Sequence, residues 1–407
     1  MAKKHHFNDQ NNEFIPYGKQ SIDDKDIEAV IGVLKSDFLT QGPVIKRFEE
    51  SFCEYTGAKF SLAVCNATAA LHVACLALKV TSGDIVWTSP NSFIASANCA
   101  RFCGADVDFV DIDETSYNLC PVKLEQKLIK AKIDGKLPKV VIPVHFAGQP
   151  CDMARIFELS KIYDFAIIED ASHAVGAQYQ DQLIGSCEFS DICIFSFHPV
   201  KIITSGEGGL ALTNRPELDK AMRSFACHAI ERATEDLIDQ EQGEWYYEQQ
   251  ALGFNYRMTE LQAALGLSQL EKVTSFVKKR HQLFEQYNYL LKDLDIHLPH
   301  IFDNSYSSVH LYPIRLSKRL VPYKKWIFST LRRLGIGVQT HYIPIHTQPY
   351  YQALGFKWGD FPIAESYYQS SISLPMYSDL TLHQQTHITQ ILEQILEQVD
   401  SESKGAI

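Results

Sequence analysis

FAIIEDASHAVGAQYQDQLIGSCEFSDICIFSFHPVK, residues 165–201, decides the fold. It opens with FAIIED (165–170) and closes on DICIFSF (191–197), two short runs rich in Ile and Phe. Such runs read as strands buried on both faces, the pattern of a parallel sheet rather than of a half-exposed one. Polar residues follow each run at once: Glu169, Asp170 and His173 after the first, Ser196, His198 and Lys201 after the second. The carboxyl ends of strands are where open α/β sheets bind ligands.

Working outward, LAV (62–64), DIVWT (84–88), VDFV (107–110) and KVVIPVH (139–145) repeat the strand pattern. TAALHVACLALK (68–79), FIASANCARFC (93–103), PVKLEQKLIKAK (121–132) and DMARIFELSKIY (152–163) read as helices between them. The alternation predicts an α/β class with a mostly parallel central sheet covered on both sides. Past Gly253 the texture changes, and one long helix is expected from about Met258 to Leu290. A strand VHLYPIRL (309–316), a helix near 322–334, a strand GVQTHY (337–342) and a closing helix near 380–399 follow. The expected division is an N-terminal arm (1–20), a large domain (21–257), and a helical spine with a smaller C-terminal α/β domain (258–407). Ser21 is expected to cap a helix running to about Lys35.

Composition narrows the function. With 45% hydrophobic and 21% charged residues over 407 positions, the chain is globular with a large core. Its 49 acidic and 38 basic side chains give a net charge of −11, which argues against nucleic-acid or anionic-membrane binding. No apolar run reaches the ~18 residues of a membrane helix and no signal peptide opens the chain, so a cytoplasmic location is expected. The ten cysteines lie between Cys53 and Cys227 with no C-x-x-C pair and read as reduced core thiols. His341 and His346 lack a carboxylate or Cys pattern around them, and no metal site is expected. Dinucleotide, P-loop, zinc-protease and serine-hydrolase motifs are all missing.

Four pieces remain. Lys201, just past a buried run, is either a Schiff-base nucleophile with a lowered pKa or a surface lysine at a strand end. Asp170 is either a site carboxylate or the cap of a following helix. NATAAL (66–71) is a strand-to-helix junction whose first-turn amides and Thr68 hydroxyl suit a phosphate, although Thr is also a common cap. Phe93 in SPNSFIASAN is either a ring that stacks on a flat cofactor or a core residue.

Together, and in this order, the four pieces resemble the sugar-nucleotide aminotransferases of the DegT/StrS family, which are fold-type I pyridoxal-phosphate (PLP) enzymes. The likeness runs from IPYGKQSID and LTQG near the start to SLPMYSDL near the end. FSFHPVKIITSGEGG, LGFNYRMTELQAALGLSQL, SSVHLYPI and GIGVQTHYIPIH look most like the pseudaminic acid branch of the family. The resemblance implies that Lys201 anchors PLP, that Asp170 faces its pyridine nitrogen and that Ser196 and Thr68 hold its phosphate. It further implies an Ala67 N–H at the phosphate, Phe93 over the ring, His173 at the ring or its phenolic oxygen, and Asn255 reaching the phosphate of a neighbouring subunit in a homodimer. Relatives with His at the lysine position are dehydratases, and Lys201 argues against that reading here. One departure is SGEGG (205–209), where a Thr is expected in place of Ser205 or Gly206.

For the sugar nucleotide the resemblance points to Tyr17, to Leu39 and Thr40 of FLTQG, and to Gln339, His341 and Tyr342 of QTHY. The implied reaction converts a UDP-linked 4-keto-6-deoxy-N-acetylhexosamine, UDP-2-acetamido-2,6-dideoxy-β-L-arabino-hex-4-ulose, to its 4-amino sugar, with L-glutamate as donor. A transaminase for a D-configured UDP-4-keto sugar or a 4-keto pentose is the enzymatic alternative. A fold homologue that has lost PLP is the other, and joint retention of Lys201, Asp170, Thr68 and Ser196 argues against it.

Overall fold

The structure, a computed structural model, describes residues 14–405; residues 1–13 of the expected arm lie outside the described residues. Seven strands form the main sheet in the spatial order Phe60–Val64, Gly209–Thr213, Ile192–Ser196, Ala166–Asp170, Val140–Ile142, Ile85–Thr88, Asp106–Phe109. Neighbours are parallel except that Gly209–Thr213 runs antiparallel to both of its own. This is the mostly parallel α/β sheet that the apolar runs predict. Successive residues serve opposite cores: Trp87, Val141, Ile167, Cys193 and Phe195 pack with Phe48, Phe52 and Ile156, whereas Val86, Val140, Ile168, Ile192 and Ile194 pack with Ala70, Leu71 and Met222. With both faces covered, the strands have no polar face to show in sequence.

Several expectations change on contact with the structure. Asp23, not Ser21, caps the first helix, Asp24–Leu34, in a capping box with Asp26; the Ser21 hydroxyl donates to Asp379 instead (3.0 Å). KVVIPVH narrows to Val140–Ile142, because Pro143 has no N–H to give the ladder. The single helix expected over 258–290 is two, Glu260–Leu270 and Val273–Leu291. The chain bends between them where Gln269 and Lys272 both reach the buried Asp26 (2.7 Å each). GVQTHY contributes one antiparallel bridge, Gln339 to Ser373, and no strand. It then crosses toward the main sheet, where the Tyr342 N–H donates to Asn91 (3.2 Å) and the Ile345 N–H to the Pro90 carbonyl (2.9 Å). The helices Pro43–Thr56, Pro216–Ala226 and Pro362–Ser370 and the strand Gly209–Thr213 lie where no element was expected.

The C-terminal elements surround a three-stranded antiparallel sheet of Ile296–His297, Tyr312–Leu316 and Ser371–Leu374. Tyr287, Ile314, Ile372, Leu392 and Ile395 make its core. The chain before the first helix is tied to this unit: Gly337 N–H donates to Ile15 O (2.7 Å) and Met376 N–H to Tyr17 O (3.0 Å). Tyr17 is thereby held at the junction of the two sheets. No helix among the described residues is long and apolar enough to cross a membrane.

Gly209 fixes how the sheet meets the helix Ala67–Ala77. A Cβ there would lie 2.4 Å from the Asn66 carbonyl carbon and 2.6 Å from the Ala67 nitrogen, both backbone atoms that cannot swing aside. Gly209→Ala is therefore expected to lose about 1–3 kcal/mol of stability, read as a lowered urea midpoint at unchanged m-value.

Candidate active site

Past Ser196 the chain leaves the sheet in a tight loop. Lys201 N–H donates to His198 O (2.9 Å), and the Thr204 hydroxyl and Ser205 N–H both donate to Phe197 O (2.9 and 3.0 Å). Gly206 takes φ +80°, and a Cβ on Gly208 would come within 2.2 Å of Ser205 Oγ. The glycines of SGEGG thus let the loop fold back on itself. The loop brings Lys201 into a cavity of about 480 Å3 that it shares with Asp170. Burial pushes the Lys201 amine down to about 8, with Asp170 opposing part of the shift. Lys201 is a cavity lysine, not a surface one.

Asp170 ends its strand buried and caps no helix. One carboxylate oxygen accepts the Ser172 N–H (3.1 Å) and the other the Ser96 hydroxyl (2.6 Å). Ser96 Oγ is in turn 2.8 Å from Ser92 Oγ. Both serines belong to the SPNSFIASAN stretch, in which the sequence marks Phe93 but neither serine.

At the start of the helix Ala67–Ala77 the cap is Asn66, whose side chain accepts the Ala69 N–H (2.9 Å). Thr68 sits inside the first turn, so its hydroxyl is not the cap. Ala67, Thr68 and Ser196 line the same cavity, and a helix N-terminus with flanking hydroxyls is an anion site.

The remaining wall is aromatic and imidazole. His173, His310, His341, Tyr342, Tyr17 and Phe93 all line the cavity. His173 Nδ1 accepts the Ala147 N–H (3.3 Å) and its Nε2 lies 3.0 Å from the Tyr342 hydroxyl. Burial, then the charge of Lys201, holds His173 well below the usual imidazole range and His341 down to about 3. His341 Nδ1 meets Ser373 Oγ (2.9 Å), and its ring lies 5.6 Å from that of Tyr17. Phe93 is 57% exposed and stands at the mouth rather than in the core. Four expected site residues are not brought here: Leu39, Thr40, Gln339 and Asn255 are exposed and do not line the cavity. His346 is also elsewhere, paired with the buried Glu365 (2.9 Å). His310 was not singled out in sequence, although it lies within SSVHLYPI.

The sequence matches the DegT/DnrJ/EryC1/StrS aminotransferase family over residues 20–393. The chain belongs to this family. It is 36% identical over 396 residues to the UDP-4-amino-4,6-dideoxy-N-acetyl-beta-L-altrosamine transaminase of Campylobacter jejuni, covering 95% of this chain and 98% of that one. Among solved structures, Helicobacter pylori PseC, an aminotransferase involved in the biosynthesis of pseudoaminic acid, superposes with a TM-score of 0.87 at 32% identity, over 95% of this chain and all of its own. The PLP form of the putative sugar aminotransferase Spr1654 from Streptococcus pneumoniae gives 0.85 at 27% identity, over 95% and 99%. The protein is thus a PLP-dependent aminotransferase of fold type I.

Its residues fit that cofactor. The cavity offers an amine of lowered pKa, a carboxylate held by two hydrogen bonds, a helix N-terminus for a phosphate and an aromatic ring at the mouth.

Two outcomes follow from this geometry. The neutral amine is the nucleophile, so capture of PLP by the cofactor-free enzyme is expected to rise about tenfold per pH unit below about 8 and to level off above it, as followed by stopped-flow absorbance. Ser96→Ala strips one buried hydrogen bond from Asp170. A loss of about 1–3 kcal/mol is expected, seen as a kcat lowered roughly tenfold with the fold intact by circular dichroism.

Proposed function

We propose that the enzyme aminates the 4-keto group of a UDP-linked 4-keto-6-deoxy-N-acetylhexosamine of β-L-arabino configuration, with L-glutamate as amino donor, in pseudaminic acid biosynthesis. The observation that carries this reading is the near end-to-end match to the Campylobacter jejuni transaminase. The site supports it: Tyr17, His341 and Tyr342 set hydrogen-bonding groups against a sugar opposite Lys201. Ser92, Phe93 and Tyr342 also line a second, adjoining cavity of about 690 Å3, room for a ligand much larger than an amino acid.

PLP, when bound, supplies an electron sink for the carbon that exchanges its amino group. Asp170, fixed by Ser96 and Ser172, stabilises positive charge on the ring nitrogen by a charge-assisted hydrogen bond. Lys201 Nζ takes the proton from the reacting carbon of glutamate and returns one at the sugar C4, the work of a base tuned near neutrality. Thr68, Ser196 and the first-turn amides at Ala67 and Thr68 would hold the phosphate, and Phe93 would offer its ring to the cofactor from the cavity mouth.

The working enzyme is a homodimer with composite sites. Thr40 pairs with Thr259, four residues past Asn255, and Leu39, Thr40 and Asn255 are exposed without lining their own cavity. In an isologous dimer these residues serve the other subunit's site. Gln339, exposed beside the Ser373 bridge, is given to the outer part of the nucleotide by family likeness alone.

Incubation with UDP-linked 4-keto sugars of both configurations and glutamate, with mass and NMR analysis of products, tests the substrate. The β-L-arabino ketosugar is expected to be aminated at least tenfold faster; preference for the D-configured sugar would replace this reading with its alternative. Lys201→Ala and Asn255→Ala subunits, each impaired alone, are expected to regain about a quarter to a half of wild-type activity as heterodimers, because one of the two sites then carries both native residues. Verified heterodimers without recovery would reject the composite site.

A further inference from the structure

We propose that Arg280 is a positioning residue of the active site: from outside the cavity it sets the ring of His310 against His173, which aims the Tyr342 hydroxyl inward. The proposal rests on the reading of Tyr342 as a substrate-facing group.

Arg280 lies on the helix Val273–Leu291, is 1% exposed and has no carboxylate partner among the described residues. Its Nη1 donates to three backbone carbonyls, Val309 (3.3 Å), His310 (3.3 Å) and Met376 (3.1 Å), while Nε has no partner. A buried guanidinium without a counter-charge opposes stability rather than adding to it. Its three carbonyl bonds therefore point to a role in setting the local path of the chain. The carbonyls it takes flank an unfavourable turn, since Val309 is a β-branched residue at φ +51°. That turn delivers His310 to the cavity wall, with the His310 N–H on Ala147 O (2.8 Å).

The His310 ring has no hydrogen bond of its own to fix it on the Nδ1 side, where the atom is buried and unpartnered. It lies tilted against the His173 ring, at 4.4 Å between centroids and 39° between planes. His173 in turn has a defined tautomer. Its Nδ1 accepts the Ala147 N–H, so in the neutral ring Nε2 carries the proton and donates to Tyr342 Oη. The Tyr342 proton is then left for an acceptor in the cavity, such as the ketone oxygen of a sugar. Protonating His173 would set Nδ1–H against the Ala147 N–H, donor to donor, and undo the arrangement.

The charged and titratable groups facing the two rings are Lys201, His341, Tyr342 and Arg280; Asp170 and Tyr17 stand across the cavity, and His281, on the Arg280 helix, is turned away to Ser307 O. Burial first, then Lys201 and His341, holds His173 well below the usual imidazole range; burial first, then His173, Lys201 and Arg280, does the same for His310. Removing the Arg280 charge lets His310 take a proton at higher pH.

The test uses the PLP-loaded enzyme with wild type, Arg280→Met, Arg280→Lys, His310→Phe and His310→Ala. Melting temperature of loaded and cofactor-free protein is measured beside kcat/KM against pH. If wild type is inactive on the UDP-ketosugar, the substrate reading has failed; the comparison then runs on the glutamate half-reaction, followed by the visible band. Arg280→Met is expected to fold, with its acid limb moved up by about one pH unit, so that its activity relative to wild type falls as the pH is lowered through that limb and stays within about threefold at pH 8. Arg280→Lys is expected to restore the limb. His310→Phe, which keeps a ring against His173, is expected within about threefold of wild type, and His310→Ala at least about tenfold below it. A uniform loss at every pH with a lowered melting temperature, failure of Arg280→Met to fold, an unchanged profile, or His310→Ala as active as His310→Phe would each overturn the proposal.

Discussion

The structure depends on the register between two parallel strands, Ala166–Asp170 and Ile192–Ser196. Ile168 faces Ile192 and Asp170 faces Ile194 across the ladder. In a sheet buried on both faces, a slip of one residue turns every side chain to the opposite core. Asp170 would then leave Ser96, and the loop from Ser196 would deliver Lys201 from a displaced start. The register is secured by size rather than polarity. Ile168, Ile192 and Ile194 fill one core while Ile167, Cys193 and Phe195 fill the other, and each large side chain contributes roughly 1.5–3 kcal/mol on burial. The chemistry at the rim is positioned by apolar contacts that take no part in it.

What was legible in sequence follows from this. Apolar runs closed by a polar residue announced both the parallel strands and the rim positions, so Lys201, Asp170 and Ser196 could be named from order alone. Thr68 was found by its place at a helix start, although the cap itself belongs to Asn66. Elements without long apolar runs stayed hidden. Gly209–Thr213 follows a glycine loop, and Pro43–Thr56 is half polar, though Pro43 and Gly57 at φ +84° mark its two ends. The spine was read as continuous because its apolar spacing continues through Glu271; the bend is imposed by Asp26, some 240 residues earlier, which no local pattern carries.

Site residues that act through others were illegible for the same reason. Ser96 matters because its hydroxyl meets a carboxylate 74 residues away, and Arg280 because its guanidinium meets carbonyls of a different segment. Serine in a serine-rich turn or arginine on a helix carries no mark of such a partner. Leu39, Thr40, Gln339 and Asn255 show the converse: family likeness named them, and a single chain leaves them exposed outside the cavity.

The electrostatics of the cavity are reciprocal. Lys201 contributes to depressing His173, His310 and His341, and three imidazoles kept neutral add no positive field of their own to that of Lys201. With burial the leading cause throughout, the amine stops near 8 instead of falling further, because Asp170 partly offsets the cost of its charge. A wall of carboxylates in place of the histidines would raise the amine and trap its proton. A wall of protonated imidazoles would repel that proton and oppose the positive charge Asp170 is set to stabilise. Neutral rings avoid both, and they still offer hydrogen bonds to a sugar. This accounts for histidines at a site where the only strong base is a lysine: they supply directional donors and acceptors while leaving proton transfer to Lys201.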